Sequence, residues 1–509
     1  MKSRSSKALR NTIFQLLLEV VTAACGLVLP RLILSRFGSS YNGITLSISQ
    51  FISCIALLKS GVGSVTRAAL YKPLADNDSH AISEVVNATE KFMRRLALVF
   101  SVFVFGFAAI YPFIVSEDFS WSFAFTLVLI LSISTIAQYY FGITYQMLIE
   151  ADQNNYIISI VSIISTIVNT IVASILIITG NSIHIVKLGS ALVFVLPPLF
   201  YLLYSRKKYR IDKSVKANQN IISQRWDAFA HQLAGFVNNN TDMIVTTFFL
   251  GVKAVSVYAV YNMVANNMKK VVNSFTSSTT AAFGNMIARG EQDNLERRFD
   301  QFELIIFEIC TVLFTTTAIL YVPFVKIYTR GVNDINYDRI SFAVLFCIAE
   351  FFACVKLVYE NVIFAAGKFK ETKKSAYWEA VINICLSIVL VNLIGLNGIL
   401  IGTIVAGVFR TITYNNFASN SVVRRNPKKI ILKVLYTLIC SVSCWFISSI
   451  FPVSASNNYL NWAFWAVIVF ACTAFFCVGL GLILFKNDSI EILKMCSIKI
   501  RNLAKKKYD

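Results

Sequence analysis

The chain has 509 residues, 56% apolar and only 15% charged, with a mean hydropathy of +0.64. A soluble domain carries about a quarter charged residues, so this sequence cannot dress an aqueous surface of its own size. The net charge of +20 is of a kind that nucleic-acid-binding proteins show, but the placement of the basic residues explains it as membrane topology, and no nucleic acid is expected as a partner.

Crossing the hydrocarbon core takes about 20 apolar residues per helix, and such stretches recur from Ile13 to Phe485. Spans are expected near residues 12–35, 43–69, 92–115, 122–149, 156–179, 183–204 and 228–250. Seven more follow near 254–283, 301–325, 339–366, 377–394, 397–417, 431–451 and 461–485. The expected fold is an all-α polytopic membrane protein of about 14 transmembrane helices. Lys2, Arg4, Lys7 and Arg10 precede the first apolar run, as in a signal peptide. That run contains Glu19 and ends in Pro30-Arg31 without a small-residue cleavage site, so it is expected to stay as the first helix. Trp121, Trp226, Trp378 and Trp462 fall at span ends, where interfacial tryptophans belong. Of the 11 cysteines nearly all lie in apolar spans without a CxxC pair, and they read as small buried hydrophobes.

With the N-terminus placed inside, alternate loops collect 35 of the 47 Lys and Arg residues on one side. The other side holds only Arg36, Lys187, Lys253, Lys326 and Arg330. Asymmetry of this size over short loops sets orientation, so both termini are expected in the cytoplasm. The longest outer loop, Lys326 to Asp338, leaves no room for the extracytoplasmic catalytic loop of a glycan polymerase or ligase. No nucleophile–base set, metal-ligand cluster or Walker motif occurs. The expectation is therefore a non-enzyme without cofactor or metal.

The helix train repeats once. Gly38 pairs with Gly251, Ala68-Ala69 with Ala281-Ala282 and Gly189 with Gly402 at an offset of 213. Tyr145 pairs with Tyr359, Ala151 with Ala365 and Asn169 with Asn383 at 214. The expected organisation is a six-helix lobe over 1–210, a linker over 211–225 and a second six-helix lobe over 226–425, with two extra helices and a basic tail over 426–509. Six is even, so the two units share one orientation, a plan that places a substrate path between halves.

Charge inside a span costs about 2.5–3.5 kcal/mol on insertion scales, so each instance needs a reason. On the eighth span Asn262, Asn266, Lys269, Asn273 and Ser277 share a face, with Lys270 at its edge. The stripe reads either as a wet pathway or as polar glue between helices. The second span carries Ser49, Ser53, Ser60, Gly63 and Arg67 on one side, with Lys59 near its midplane. The seventh aligns His231, Gly235, Asn238 and Asp242, and Asp242 is a candidate proton or cation site or a partner for a lysine. Lys356 and Glu360, spaced i, i+4, are expected to neutralise each other. Arg31 can snorkel to an interface, and Arg410 lies within two turns of the inner end.

Gly61-Val62-Gly63-Ser64 through Ala69-Leu70-Tyr71-Lys72-Pro73-Leu74-Ala75-Asp76-Asn77-Asp78 resembles the polysaccharide-transporter flippases. So do Asn239-Asn240-Thr241-Asp242 running into Phe249-Leu250-Gly251-Val252-Lys253, and Glu371-Thr372-Lys373-Lys374 followed by Glu379-Ala380, Asn383 and Phe409-Arg410-Thr411. These are the O-antigen, capsule and exopolysaccharide repeat-unit flippases of the multidrug/oligosaccharidyl-lipid/polysaccharide exporter superfamily. The resemblance implies two six-helix lobes around a central cavity lined by the first, second, seventh and eighth helices. It implies alternating access in a bacterial cytoplasmic membrane, with an undecaprenyl-diphosphate-linked oligosaccharide moved from inner to outer leaflet. The substrate-binding candidates are Lys269, Lys270, Lys59, Asn262, Asn266, Asn273, Asn238 and Arg67; Asp242 is the candidate for coupling to H+ or Na+. The clear acidic pair that cation-coupled drug exporters often carry in the first lobe is missing. A cation-coupled multidrug antiporter is the alternative within the superfamily; a membrane acyl- or glycosyltransferase is the alternative outside it.

Overall fold

A computed structural model describes residues 4–56, 60–216, 225–277, 279–450, 458–492 and 494. In chain order the helices are α1 Arg4–Phe37, α2 Ser39–Ala56, α3 Ser60–Asp76, α4 Ser79–Ile114, α5 Trp121–Ala137, α6 Ile143–Ala151, α7 Asn155–Ile178 and α8 Ile183–Tyr209. Then come α9 Arg225–Ser277, α10 Thr280–Ala288, α11 Gln292–Tyr328, α12 Ile340–Ala365, α13 Phe369–Ile394, α14 Leu396–Ala418, α15 Lys429–Ser448 and α16 Tyr459–Leu484. Single π-helical turns, Gln138–Gly142 and Ser419–Val423, join α5 to α6 and extend α14.

Twelve helices among the described residues are long and apolar enough to cross a membrane. Two features reconcile twelve with fourteen. α9 is two spans, because Gly251 (φ 74°, ψ 176°) breaks its helical backbone midway. The second expected span runs over α2, α3 and residues 57–59, which lie outside the described residues, and neither helix alone is long and apolar enough to be counted. The protein is a multi-pass membrane protein turned outward in its hydrophobicity. On α7, Ile164, Ile167, Ile171, Ile175 and Ile178 are exposed while Ser159, Ser165 and Asn169 are buried. On α16 Leu460 and Phe475 are each 85% exposed, which only a lipid-facing surface tolerates at this density.

The chain divides into two compact units: Met1–Val257 with Gly331–Ile335, and Tyr258–Arg330 with Asn336–Asp509. In the first, α2 packs so closely on the backbone after Gly251 that a Cβ on Gly43 would stand 1.7 Å from the Val252 carbonyl oxygen. Ser47 and Thr247 hydroxyls meet at 3.0 Å, Asn42 Nδ2 donates to Ser256 Oγ at 2.8 Å, and Gln50 bonds Asn240. Asp334 caps α2, accepting from Ser39 N at 2.7 Å and Ser39 Oγ at 2.6 Å. Asp78 does the same for α4 through His80 N and Ala81 N, each at 3.0 Å, satisfying amides that a helix start leaves open. In the second unit α15 and α16 attach to α11. Thr311 meets Thr437 at 2.9 Å, Thr315 meets Ser441 at 2.8 Å, and Trp462 Nε1 donates to the Leu320 carbonyl at 3.2 Å. Hydroxyl pairs of this kind hold helices together where lipid supplies no hydrophobic drive.

The repeat extends to the backbone. α4 and α11 start 213 residues apart, as do α8 and α14, and α7 and α13 start 214 apart. Among the described residues, ten of the eleven with positive φ pair off: Gly38 with Gly251, Asn77 with Gly290, Gln153 with Gly367, Gly180 with Gly395, Arg210 with Arg424. Left-handed residues end helices and reverse the chain, so both repeats turn at matching places.

Candidate functional site

The polar face of the second half of α9 lies within the second unit. Asn266 Nδ2 donates to Asn262 Oδ1 at 2.9 Å. Lys269 Nζ stands 3.3 Å from Glu350 Oε2 of α12, the two side chains being 24% and 15% exposed. Lys269 thus has a partner that the sequence did not point to. A cation at this depth is costly unless an anion stands near it, and Glu350 is that anion. Asn262 and Lys269 are half-buried, whereas Asn266, Lys270 and Asn273 are exposed. The stripe therefore runs from the packed interior of the unit to its surface. The same unit holds an apolar cavity of about 420 Å³ between α11, α12 and α15, lined by Phe314, Ile348, Phe351, Leu438, Val442 and Trp445 among others.

The remaining candidates belong to the first unit. Arg67 pairs with Glu150 at 2.8 Å, and Gln146 Nε2 donates to the other oxygen of Glu150 at 3.0 Å. Asp242 is buried at 7% exposure, and its carbonyl accepts from Thr246 Oγ1 at 2.7 Å. Ser49 and Ser53 turn their hydroxyls back to carbonyls of their own helix, at 2.7 Å each. Lys59 lies outside the described residues, as do the side chains of Asn238, His231 and Gly235.

Lys356 does not neutralise Glu360 in the expected way. It reaches Glu379 of α13 at 2.7 Å, and Arg410 of α14 stands 3.6 Å from the other oxygen of that carboxylate. The reason is depth: Glu379 is almost fully buried between two cations, and an unpaired carboxylate there would cost several kcal/mol.

Two further clusters, one per unit, escaped the sequence reading. In the first unit Glu90 accepts from Tyr145 Oη at 3.0 Å and pairs with Lys213 and Arg94. In the second, Glu303 accepts from Tyr359 Oη at 2.5 Å, from Arg425 Nη1 and Nη2 at 2.6 and 2.7 Å, and from Lys433. Glu303 follows Glu90 by 213 residues, Tyr359 follows Tyr145 by 214 and Arg425 follows Lys213 by 212. Each triad ties the segment after the last helix of its repeat to the start of the long helix, α4 or α11. The repeat offset, applied to Glu90 and Lys213, would have found them.

No protein-family model and no curated protein matches the sequence. Solved structures do. The lipid II flippase MurJ in an inward closed conformation aligns at a TM-score of 0.71 and 14% identity, over 93% of this chain and 98% of that one. An inward-facing multidrug resistance MATE transporter of the MOP superfamily aligns at 0.62 and 14%, over 80% and 98%. A MOP superfamily transporter from Pyrococcus furiosus aligns at 0.57 and 13%, over 82% and 96%. The chain shares the fold of these transporters. Two of them are MOP superfamily transporters, the superfamily of the flippases that the three sequence segments resemble.

Proposed function

We propose that this MOP-fold protein is a flippase that moves a polyprenyl-diphosphate-linked oligosaccharide repeat unit from the inner to the outer leaflet of a bacterial cytoplasmic membrane, for surface polysaccharide synthesis. The observation that carries the reading is coverage. The lipid II flippase aligns over 93% of the chain, the MATE transporter over 80%, so a flippase of a lipid-linked substrate shares the longer architecture. Chemistry supports it. A sugar head group crossing hydrocarbon unaided strands its hydroxyls, and the Asn262–Asn266–Asn273 stripe supplies partners. Lys269, with Lys270 one residue on, supplies positive charge for a diphosphate, competing it away from Glu350. The apolar cavity of the same unit suits an isoprenoid chain. In this reading both termini face the cytoplasm and buried Asp242 takes the coupling H+ or Na+; Asp242→Asn should then abolish gradient dependence while sparing substrate binding.

The test is a double substitution. Lys269→Ala should lose export and weaken binding of the purified protein to the lipid-linked donor by roughly 1.5–3 kcal/mol, one charge-assisted hydrogen bond. Lys269→Arg should keep part of both. Lys269→Ala with Glu350→Ala should remain as defective as Lys269→Ala, because the substrate still lacks its cation. Full recovery in the double variant would reduce Lys269 to a counter-charge for Glu350. The cation-coupled multidrug antiporter is the second reading, favoured by the MATE fit alone. It requires efflux of lipophilic cations by proteoliposomes, and absence of such efflux removes it.

A further inference from the structure

Because the two repeats share one helix order, positions 213 or 214 residues apart can be compared one for one. In the second unit charged side chains fill the space among α12, α13 and α14: Lys356 and Arg410 flank Glu379, at 2.7 and 3.6 Å, with Glu360 one turn beyond Lys356. The matching residues of the first unit are Gly142, Pro197, Ser165 and Gln146. None of them is charged. Gln146, Ser165 and Pro197 instead line a cavity of about 440 Å³ within that unit, together with Gln138, Ser162, Thr166 and Tyr201. The backbone departs from the repeat at the same place. α12 is continuous from Ile340 to Ala365, whereas its counterpart is interrupted by the π-helical turn Gln138–Gly142, whose first residue faces the cavity. Such turns insert one residue into a helix and recur at functional sites. Ser165, only 8% exposed, points from the inward face of α7 into it.

The lining selects a class of ligand. No lining residue carries a charge, and the carboxylate behind Gln146, Glu150, is already paired with Arg67, so an ion entering this space would find no free counter-charge at a depth where that is expensive. An apolar ligand would strand hydroxyls and amides of five helices and the π turn. At about 30 Å³ per water molecule the volume far exceeds a single ordered water, and it falls within the roughly 300–1,000 Å³ of small-molecule sites. We propose that this cavity binds an uncharged sugar residue, hydrogen-bonded by Gln138, Gln146, Ser162, Ser165 and Thr166. The sugar is either free or part of a lipid-borne glycan. This site is separate from Lys269, and its failure leaves the flippase reading standing.

The full chain in nanodiscs is titrated by saturation-transfer NMR with methyl glucoside and N-acetylglucosamine, with glucose 1-phosphate as anionic control and choline as cationic control. A parallel arm places glucosyl diacylglycerol, a neutral glycolipid, in the disc. Neutral sugars should give saturable transfer in one or both arms, and the charged controls should not. A response only in the lipid arm identifies a lipid-borne sugar; a response to the free glycosides identifies a site open to solutes. Ser165→Phe, which fills the cavity, should abolish the signal. Ser165→Ala and Gln138→Leu, which add no volume, should each weaken it by about two- to tenfold, the effect of one hydrogen bond. Equal signals from wild type and all three cavity variants, transfer to the charged controls instead, or no neutral-sugar signal in either arm overturns the proposal.

Discussion

Replacing Glu303 with glutamine removes one negative charge from a side chain with 0% exposure while keeping its shape. Arg425, also 0% exposed at its side chain, donates both terminal nitrogens to Glu303, and Lys433 points to the same oxygen as Nη1. Asp300 remains as a second partner of Arg425, but Lys433 is left with the Asp300 carbonyl at 3.4 Å. Breaking a buried pair by removing one member costs about 3–5 kcal/mol, or roughly two to four powers of ten in the folded-to-unfolded ratio. The matching change in the first unit, Glu90→Gln, should cost far less. Lys213 and Arg94 are each 43% exposed, so water already screens them and about 1 kcal/mol is expected. Reversible unfolding of the purified protein in mixed SDS micelles reads both numbers. A double-mutant cycle of Glu303→Gln with Arg425→Met should return a coupling of about 2 kcal/mol or more. If Glu303→Gln lies within about 1 kcal/mol of wild type, or matches Glu90→Gln, the second triad is an exposed ion pair in effect and the reasoning fails.

Gly43→Ala should destabilise the protein by at least about 1–3 kcal/mol, since its Cβ would meet the Val252 carbonyl at 1.7 Å, whereas Gly26→Ala, with nothing within 4 Å, should be neutral or better; thermal unfolding of both decides. Outside the spans, burial alone would raise the Asp152 carboxyl, but Lys208 at 2.6 Å, Tyr209 at 2.7 Å and the charge of Lys7 outweigh it and hold it low. A depressed carboxyl stabilises the fold above its unfolded value near 4 and loses that contribution as pH falls through its folded value. Wild type should therefore lose stability on acidification below about pH 4 more steeply than Asp152→Asn, and equal slopes would count against the cluster. Reporter fusions after Ser205 and Lys486 should score cytoplasmic and one at Asn458 external; a cytoplasmic score at Asn458 removes the proposed orientation.

Most helices were legible because a membrane span writes its length into hydropathy, and the break at Gly251 lies in the gap between two expected spans. The starts of α4 and α11, at Ser79 and Gln292, precede the expected spans near 92 and 301; a helix that continues into water as an amphipathic stretch keeps its hydrogen bonds but leaves no hydropathy signal. The π turn at Gln138–Gly142 left no trace in composition. Of the candidate site, the α9 stripe was readable from 100° periodicity. Its partner Glu350 was not, since ion pairs between helices far apart in the chain depend on packing that no local pattern encodes. Glu379 was quoted as part of a family segment, and only the fold shows that it takes Lys356 from its i, i+4 neighbour.

The paired left-handed residues have a practical consequence. Where the second unit uses Gly290 and Gly367, the first uses Asn77 and Gln153, side chains that occupy this conformation at a penalty glycine does not incur. The turn geometry is kept without the residue best suited to it, so the reversals are held by the helices on either side rather than by local preference. A protein engineer can therefore treat 77/290, 153/367 and 210/424 as interchangeable joints. Exchanging the segment between two joints in one half for its equivalent in the other should keep the path of the chain while transplanting only its side chains.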